Sequence, residues 1–295
     1  MKIGLLTVGI GKAARPGTIR TLAENCERLG FGTLWAPEHV VLFDRYSDSK
    51  YPYSDDGAFA APSTVDWMDP FVALSYAAAR TSRIRLATGI CLVPEHNPLV
   101  LAKVIASIDY LSGGRFALGV GIGWSSEEFA ALGIPFERRA QRTREYIEVM
   151  RKLWSEEKAS YSGDFVQFKD ARSFPKPAQK GNVPIIFGGE SGPALRRVAD
   201  YGTGWFGFNL NPEEAKAKIA RLTTLTRERG RDPREIELIV SPYLQKVTPA
   251  DLRSYRESGV SEVTMLLDIP EDDAKLPAQL EQMAREWVEP AAKLA

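Results

Sequence analysis

Histidine and cysteine are nearly missing from this 295-residue sequence, which has two of each: His39, His96, Cys26 and Cys91. So few thiols exclude a disulfide framework, and no His/Glu spacing of the H-E-x-x-H type sets ligands on one helix, so no metal site is expected. There is no G-x-S-x-G element for a serine nucleophile, and the bases for one are almost exhausted. An excess of either charge is also absent. Thirty-eight basic and thirty-eight acidic side chains cancel, which leaves no global field to draw in nucleic acid or an anionic membrane. No apolar run approaches the roughly 20 residues of a membrane span, and no charged-then-apolar leader is visible. A cytoplasmic, reduced setting is expected.

What the sequence does have is alternation. Short apolar, β-branched runs bounded by Gly or Pro recur, each followed by a longer stretch with helical spacing. The strand candidates are 2–8, 33–36, 84–91, 115–120, 184–187, 204–208, 235–240 and 262–267. Helices are expected at 18–29, 70–80, 98–111, 138–154, 193–201, 212–229 and 249–257, with one more near the end. Asp69-Pro70, Asn97-Pro98, Asn211-Pro212 and Thr248-Pro249 read as helix starts, a capping side chain followed by a proline whose missing N–H had no partner to lose. Eight strand–helix units close most naturally into one (β/α)8 TIM barrel with insertions, a single domain over residues 1–295. A doubly wound open sheet is the alternative. Two connections are long: 38–67, after a strand and therefore on the face where barrels keep their chemistry, and 155–183, after a helix and expected on the other face.

Both histidines follow a strand end, in Glu38-His39 and Glu95-His96. Side chains there reach the mouth of a barrel, and imidazole exchanges protons near neutral pH. His39 is the expected functional residue, and His96 the expected structural one. Gly119-Val120-Gly121-Ile122-Gly123 lacks both the spacing and the later acidic residue of a dinucleotide fingerprint. Gly188-Gly189-Glu190-Ser191-Gly192-Pro193 is different: it links a strand to a helix, where free N–H groups and the positive helix end can hold a phosphate.

A resemblance joins these segments. Thr88-Gly89-Ile90, Pro94 to Pro98, Asp109 to Phe116, Leu118 to Trp124, Leu132 to Arg139, the turn 188–192 and Gly202 to Trp205 together resemble the signature of luciferase-like flavin-dependent oxidoreductases. The resemblance implies the same barrel and a cofactor, either coenzyme F420 (an 8-hydroxy-5-deazaflavin) or FMN, acting by hydride transfer or oxygenation on a small organic substrate. It implies that His39 lies by the reactive ring, with Glu38 to tune it. It further implies that Thr88, Gly89 and Ile90 support the ring through a non-prolyl cis peptide, and that Gly188, Gly189, Ser191 and Gly192 take the phosphate. A homodimer, and a separate flavin reductase if FMN is used, follow from the same likeness. Where a sugar-phosphate dehydrogenase branch has a carboxylate this sequence has Trp124, so that branch's proton donor is not carried over. Two other readings stay open: a non-catalytic flavin-binding barrel, and a phosphate-binding lyase or isomerase, for which no strand-end Lys or carboxylate pair stands out.

Overall fold

The computed structural model describes every residue except 55, 181 and 295. Its strands are β1 Lys2–Leu6, β2 Thr33–Ala36, β3 Arg85–Thr88, β4 Cys91–Leu92, β5 Phe116–Gly121, β6 Ala159–Ser162, β7 Gln167–Ala171, β8 Ile185–Gly188, β9 Gly204–Phe208, β10 Glu237–Ser241 and β11 Glu262–Met265. All the pairings of the main sheet are parallel, and β3 also pairs with β5, so the order β3-β2-β1-β11-β10-β9-β8-β5 closes on itself. The protein is an eight-stranded parallel barrel with helices between the strands. The expected strand 84–91 is interrupted: β3 stops at Thr88, the Gly89–Ile90 peptide is cis, and β4 resumes the pairing with β5.

The helices are α1 Pro16–Leu29, α2 Pro70–Ala78, α3 Pro98–Ser112, α4 Ser126–Ala131, α5 Arg139–Ser155, α6 Gly192–Tyr201, α7 Pro212–Glu228, α8 Leu252–Glu257, α9 Leu276–Met283 and α10 Glu289–Ala292. The proline signals hold for reasons visible in the caps. Asp69 accepts from Val72 N, Asn97 from Leu99 and Val100 N, and Asn211 forms a full capping box with Glu214. Thr248-Pro249 opens a short 3-10 turn, Pro249–Asp251, ahead of α8. Among the described residues no helix is long and apolar enough to cross a membrane.

Two apolar layers hold the barrel. Leu6, Trp35, Ala87, Ala117, Ile186, Phe206 and Ile239 fill its interior, while the strands' outward side chains and the inner faces of the helices form the larger core. At the base, the buried Glu262 accepts from Trp35 Nε1 and Thr33 Oγ1, both at 2.7 Å. Burial raises its pKa. The long connection 155–183 contains the antiparallel hairpin β6–β7, laid back along α5: Tyr161 donates to Glu148, and Glu145 accepts from the amides of Asp164, Phe165 and Val166. None of its described residues borders the cavity described next.

Candidate active site

The strand ends open into one cavity of about 730 Å³, bordered by the connection 38–67, the Gly89–Ile90 step, the end of β5, and the turn from β8 into α6. His39, Glu38, Gly89, Ile90, Gly188, Gly189 and Ser191 all border it, although they come from distant parts of the chain. Thr88 and Gly192 do not. Thr88 is fully buried and donates to the Gly119 carbonyl at 2.8 Å, which ties β3 to β5. Gly192 starts the helix behind the turn.

His39 Nδ1 lies 2.8 Å from Glu128 Oε2, and Oε1 of the same carboxylate accepts from Val40 N at 2.6 Å and Val41 N at 3.2 Å. Glu38, the expected partner, turns elsewhere. Its oxygens accept from Leu92 N at 2.5 Å and pair with His96 Nε2 at 2.9 Å. Adjacent residues leaving a strand end point apart, so the carboxylate next in sequence to His39 serves the other histidine. With a carboxylate at Nδ1, that nitrogen keeps its proton and Nε2 is the one free for a ligand. The edges of Phe59, Trp67 and Trp124, at centroid distances of 5.0, 5.1 and 6.0 Å, hold the ring from the sides.

His96 does not border the cavity. Burial alone would lower its pKa, but the Glu38 hydrogen bond and charge, together with Asp69, outweigh it and raise the value. Glu38, Cys91 and His96 each bring one potential ligand atom to within 4.8 Å of the others. The sequence carried no spacing for this group, because it is assembled from three elements. Glu38 is already engaged, one oxygen accepting from Leu92 N and the other paired with His96 Nε2.

Glu95 is buried behind this layer, with neither carboxyl oxygen hydrogen-bonded among the described residues. Burial, then Glu128 and Glu38, push its pKa up to about 9. A carboxyl that binds its proton more tightly folded than unfolded loses folding stability as pH rises from the ordinary carboxylate range toward the folded value. Thermal melts from pH 5 to 9 should therefore fall less steeply for Glu95→Gln than for the parent. Parallel curves would show that Glu95 is not held neutral.

The turn from β8 into α6 has little room for side chains. Gly189 has φ +105°, a left-handed region open to glycine, and a Cβ there would meet the Ala194 side chain at 3.0 Å. At Gly188 a Cβ would strike Ile90 Cδ1 at 2.7 Å. Ser191 caps α6, its Oγ accepting from Ala194 N at 3.3 Å, so its own O–H remains free to donate. Two arginines that the sequence reading missed border the same cavity. Arg197 has a buried Nε with no hydrogen-bond partner among the described residues, and burial lowers its pKa. Arg139 packs its guanidinium 3.8 Å over the Phe136 ring and donates to Gly123 O. Arg197 lies three residues beyond Ala194, on the same helix face, and that spacing was a readable signal.

The connection 38–67 is strapped across the mouth. Asp48 N donates to Glu127, Ser49 and Ser126 share a hydrogen bond, and Tyr53 donates to Glu190 at 2.9 Å on the far side. Two arginines and an imidazole thus face one roofed cavity at the strand ends.

The chain belongs to the luciferase-like monooxygenase family, whose model matches residues 3–286. It is 34% identical over 288 residues to an uncharacterized protein of Mycobacterium tuberculosis, covering 96% of this chain and 98% of the relative. An F420-dependent glucose-6-phosphate dehydrogenase of Kineococcus radiotolerans is 28% identical over 296 residues, covering 92% and 79%. In fold, the chain is similar to the coenzyme F420 dependent tetrahydromethanopterin reductase of Methanopyrus kandleri (TM-score 0.74, 18% identity, 98% of each chain). It is also similar to a Baeyer–Villiger monooxygenase of Pseudomonas putida in complex with FMN (TM-score 0.65, 17% identity, 86% and 70%).

Proposed function

We propose that this protein is an oxidoreductase that binds coenzyme F420 or FMN at the barrel mouth and reduces, oxidises or oxygenates a small organic molecule there. One observation supports this most: the turn into α6 and the residue Arg197 border the same cavity as His39. The residues fit such a cofactor. The turn 188–191 with Arg197 and Arg139 would take a phosphate, since helix-start N–H groups and guanidinium both favour an anion. The step at Gly89 and Ile90 would back the ring. Either cofactor supplies the redox chemistry when bound. The protein's part is to orient the reactants, exclude water under the strap, and hold a proton at His39, with Glu128 as the positioning residue behind it. Trp124 borders the cavity and offers no carboxyl, so acid–base work falls to His39.

Titrating each cofactor against Gly189→Ala and Arg197→Ala tests the cradle. Both variants should bind more weakly, by about tenfold or more for the arginine, a charge-assisted contact. Ser191→Ala should lose less, because one neutral hydrogen bond is worth about 0.5 to 1.5 kcal/mol. Unchanged affinity in all three would move the phosphate elsewhere.

We also propose a homodimer through the outer faces of α2 and α3. Val72 and Tyr76 on α2, with Val100, Tyr110 and Leu111 on α3, are exposed, and the two helices pack side by side. Exposed apolar groups gathered like this mark an association surface. Sedimentation should show a dimer that Val100→Asp with Leu111→Asp converts to monomer. A monomeric parent would contradict it.

A further inference from the structure

The cavity lining has two chemistries. One is the cationic turn with Arg139 and Arg197. The other is a set of rings: Tyr51, Phe59, Trp67 and Trp124, with Phe208 and Tyr243. Tyr51 and Phe59 lie 5.0 Å apart, Tyr51 and Trp124 5.3 Å, Phe59 and Trp124 5.5 Å, and Phe208 and Tyr243 4.5 Å. These are edge and tilted contacts that leave ring faces and edges to receive a flat guest.

The charged groups near these rings are already committed. Glu38 serves Leu92 and His96, Glu128 serves His39, Val40 and Val41, and Glu190 serves Tyr53 and Phe208. Lys50, the lining cation outside the turn, is exposed to solvent. The hydroxyls of Tyr51 and Tyr243 are different: they make no side-chain hydrogen bond among the described residues, and burial raises the pKa of both, so each stays a neutral donor.

From this lining we infer that the substrate is an uncharged, planar, largely apolar molecule, aromatic or fused-ring, with an oxygen substituent that the Tyr51 and Tyr243 hydroxyls recognise. This rests on the oxidoreductase reading for the word substrate, but the selectivity belongs to the rings themselves. An anion placed among them would lose much of its hydration, with only the solvent-exposed Lys50 as a lining cation on that side, and would lie near the buried Glu38. A neutral ring system loses little hydration and gains stacking area.

Calorimetric titration with 2-naphthol, 2-naphthoate, naphthalene and glucose 6-phosphate tests the inference, on the free protein and on protein saturated with whichever cofactor it binds. 2-Naphthol should bind at least about tenfold more tightly than 2-naphthoate, and glucose 6-phosphate should not bind in the cofactor-saturated protein. In Tyr51→Phe with Tyr243→Phe, which keeps both rings, 2-naphthol should weaken by about three- to tenfold and naphthalene should not change. Equal or tighter binding of 2-naphthoate or glucose 6-phosphate to the saturated protein overturns the inference. So does a double variant that leaves the preference for 2-naphthol over naphthalene intact. Cofactor binding is read in its own titration: a protein that binds neither cofactor yet keeps the naphthol selectivity removes the oxidoreductase reading and leaves the pocket chemistry standing.

Discussion

Replacing His39 by alanine is expected to cut cofactor reduction or reoxidation by about 10²- to 10⁴-fold, the usual worth of a placed acid–base group. The loss of stability should be modest. The imidazole gives up its contacts with Phe59, Trp67 and Trp124 and leaves one oxygen of Glu128 without its partner. That costs about 1 to 3 kcal/mol, or a few degrees in a chain of this size. Single-turnover rates set beside thermal melts check this. If turnover falls no further than the fraction unfolded at the assay temperature explains, His39 is a packing residue.

Glu128 separates two jobs. Its carboxylate is 1% exposed and holds His39 together with the amides of Val40 and Val41. Glu128→Ala removes the acceptor of His39 Nδ1 and of two part-buried amides and should cost about 1 to 3 kcal/mol in urea unfolding. Glu128→Gln is the informative change. Its amide oxygen can still accept from Val40 and Val41, so the fold should hold. Its NH2 would face Nδ1 and drive the imidazole proton to Nε2, the nitrogen left for the ligand. Nitrogen NMR of the ring should report Nδ1–H in the parent and Nε2–H in the glutamine variant, with turnover lost along with the tautomer. An unchanged tautomer would mean that Glu128 does not set it.

The barrel was legible because local signals agreed. Apolar runs, proline-capped helix starts and glycine turns all place their elements within a few residues of where they lie, as Asn97 and Asn211 show at α3 and α7. The interruption between β3 and β4 was not legible from periodicity, since Gly89 and Ile90 continue an apolar run. Nor was the hairpin's course along α5, which depends on Glu145 gathering three amides. The histidines and the glycine turn could be placed at the mouth because strand ends are visible in sequence. Their partners could not. His39 and Glu128 are 89 residues apart, and nothing local distinguishes Glu128 from the adjacent Glu38 as the carboxylate that reaches the ring. The aromatic strap is similar: Tyr51 and Phe59 read as loop residues until the closed barrel brings Trp124 against them.

The most direct test of the central claim is a spectroscopic titration of the purified protein with coenzyme F420 and with FMN, oxidised and reduced, beside the Arg197→Ala variant. One of the two should bind to saturation with a perturbed ring absorbance, and Arg197→Ala should weaken that binding by about tenfold or more. If neither cofactor binds the parent, or if the bound one is indifferent to Arg197, the barrel mouth is not a flavin or deazaflavin site of this kind.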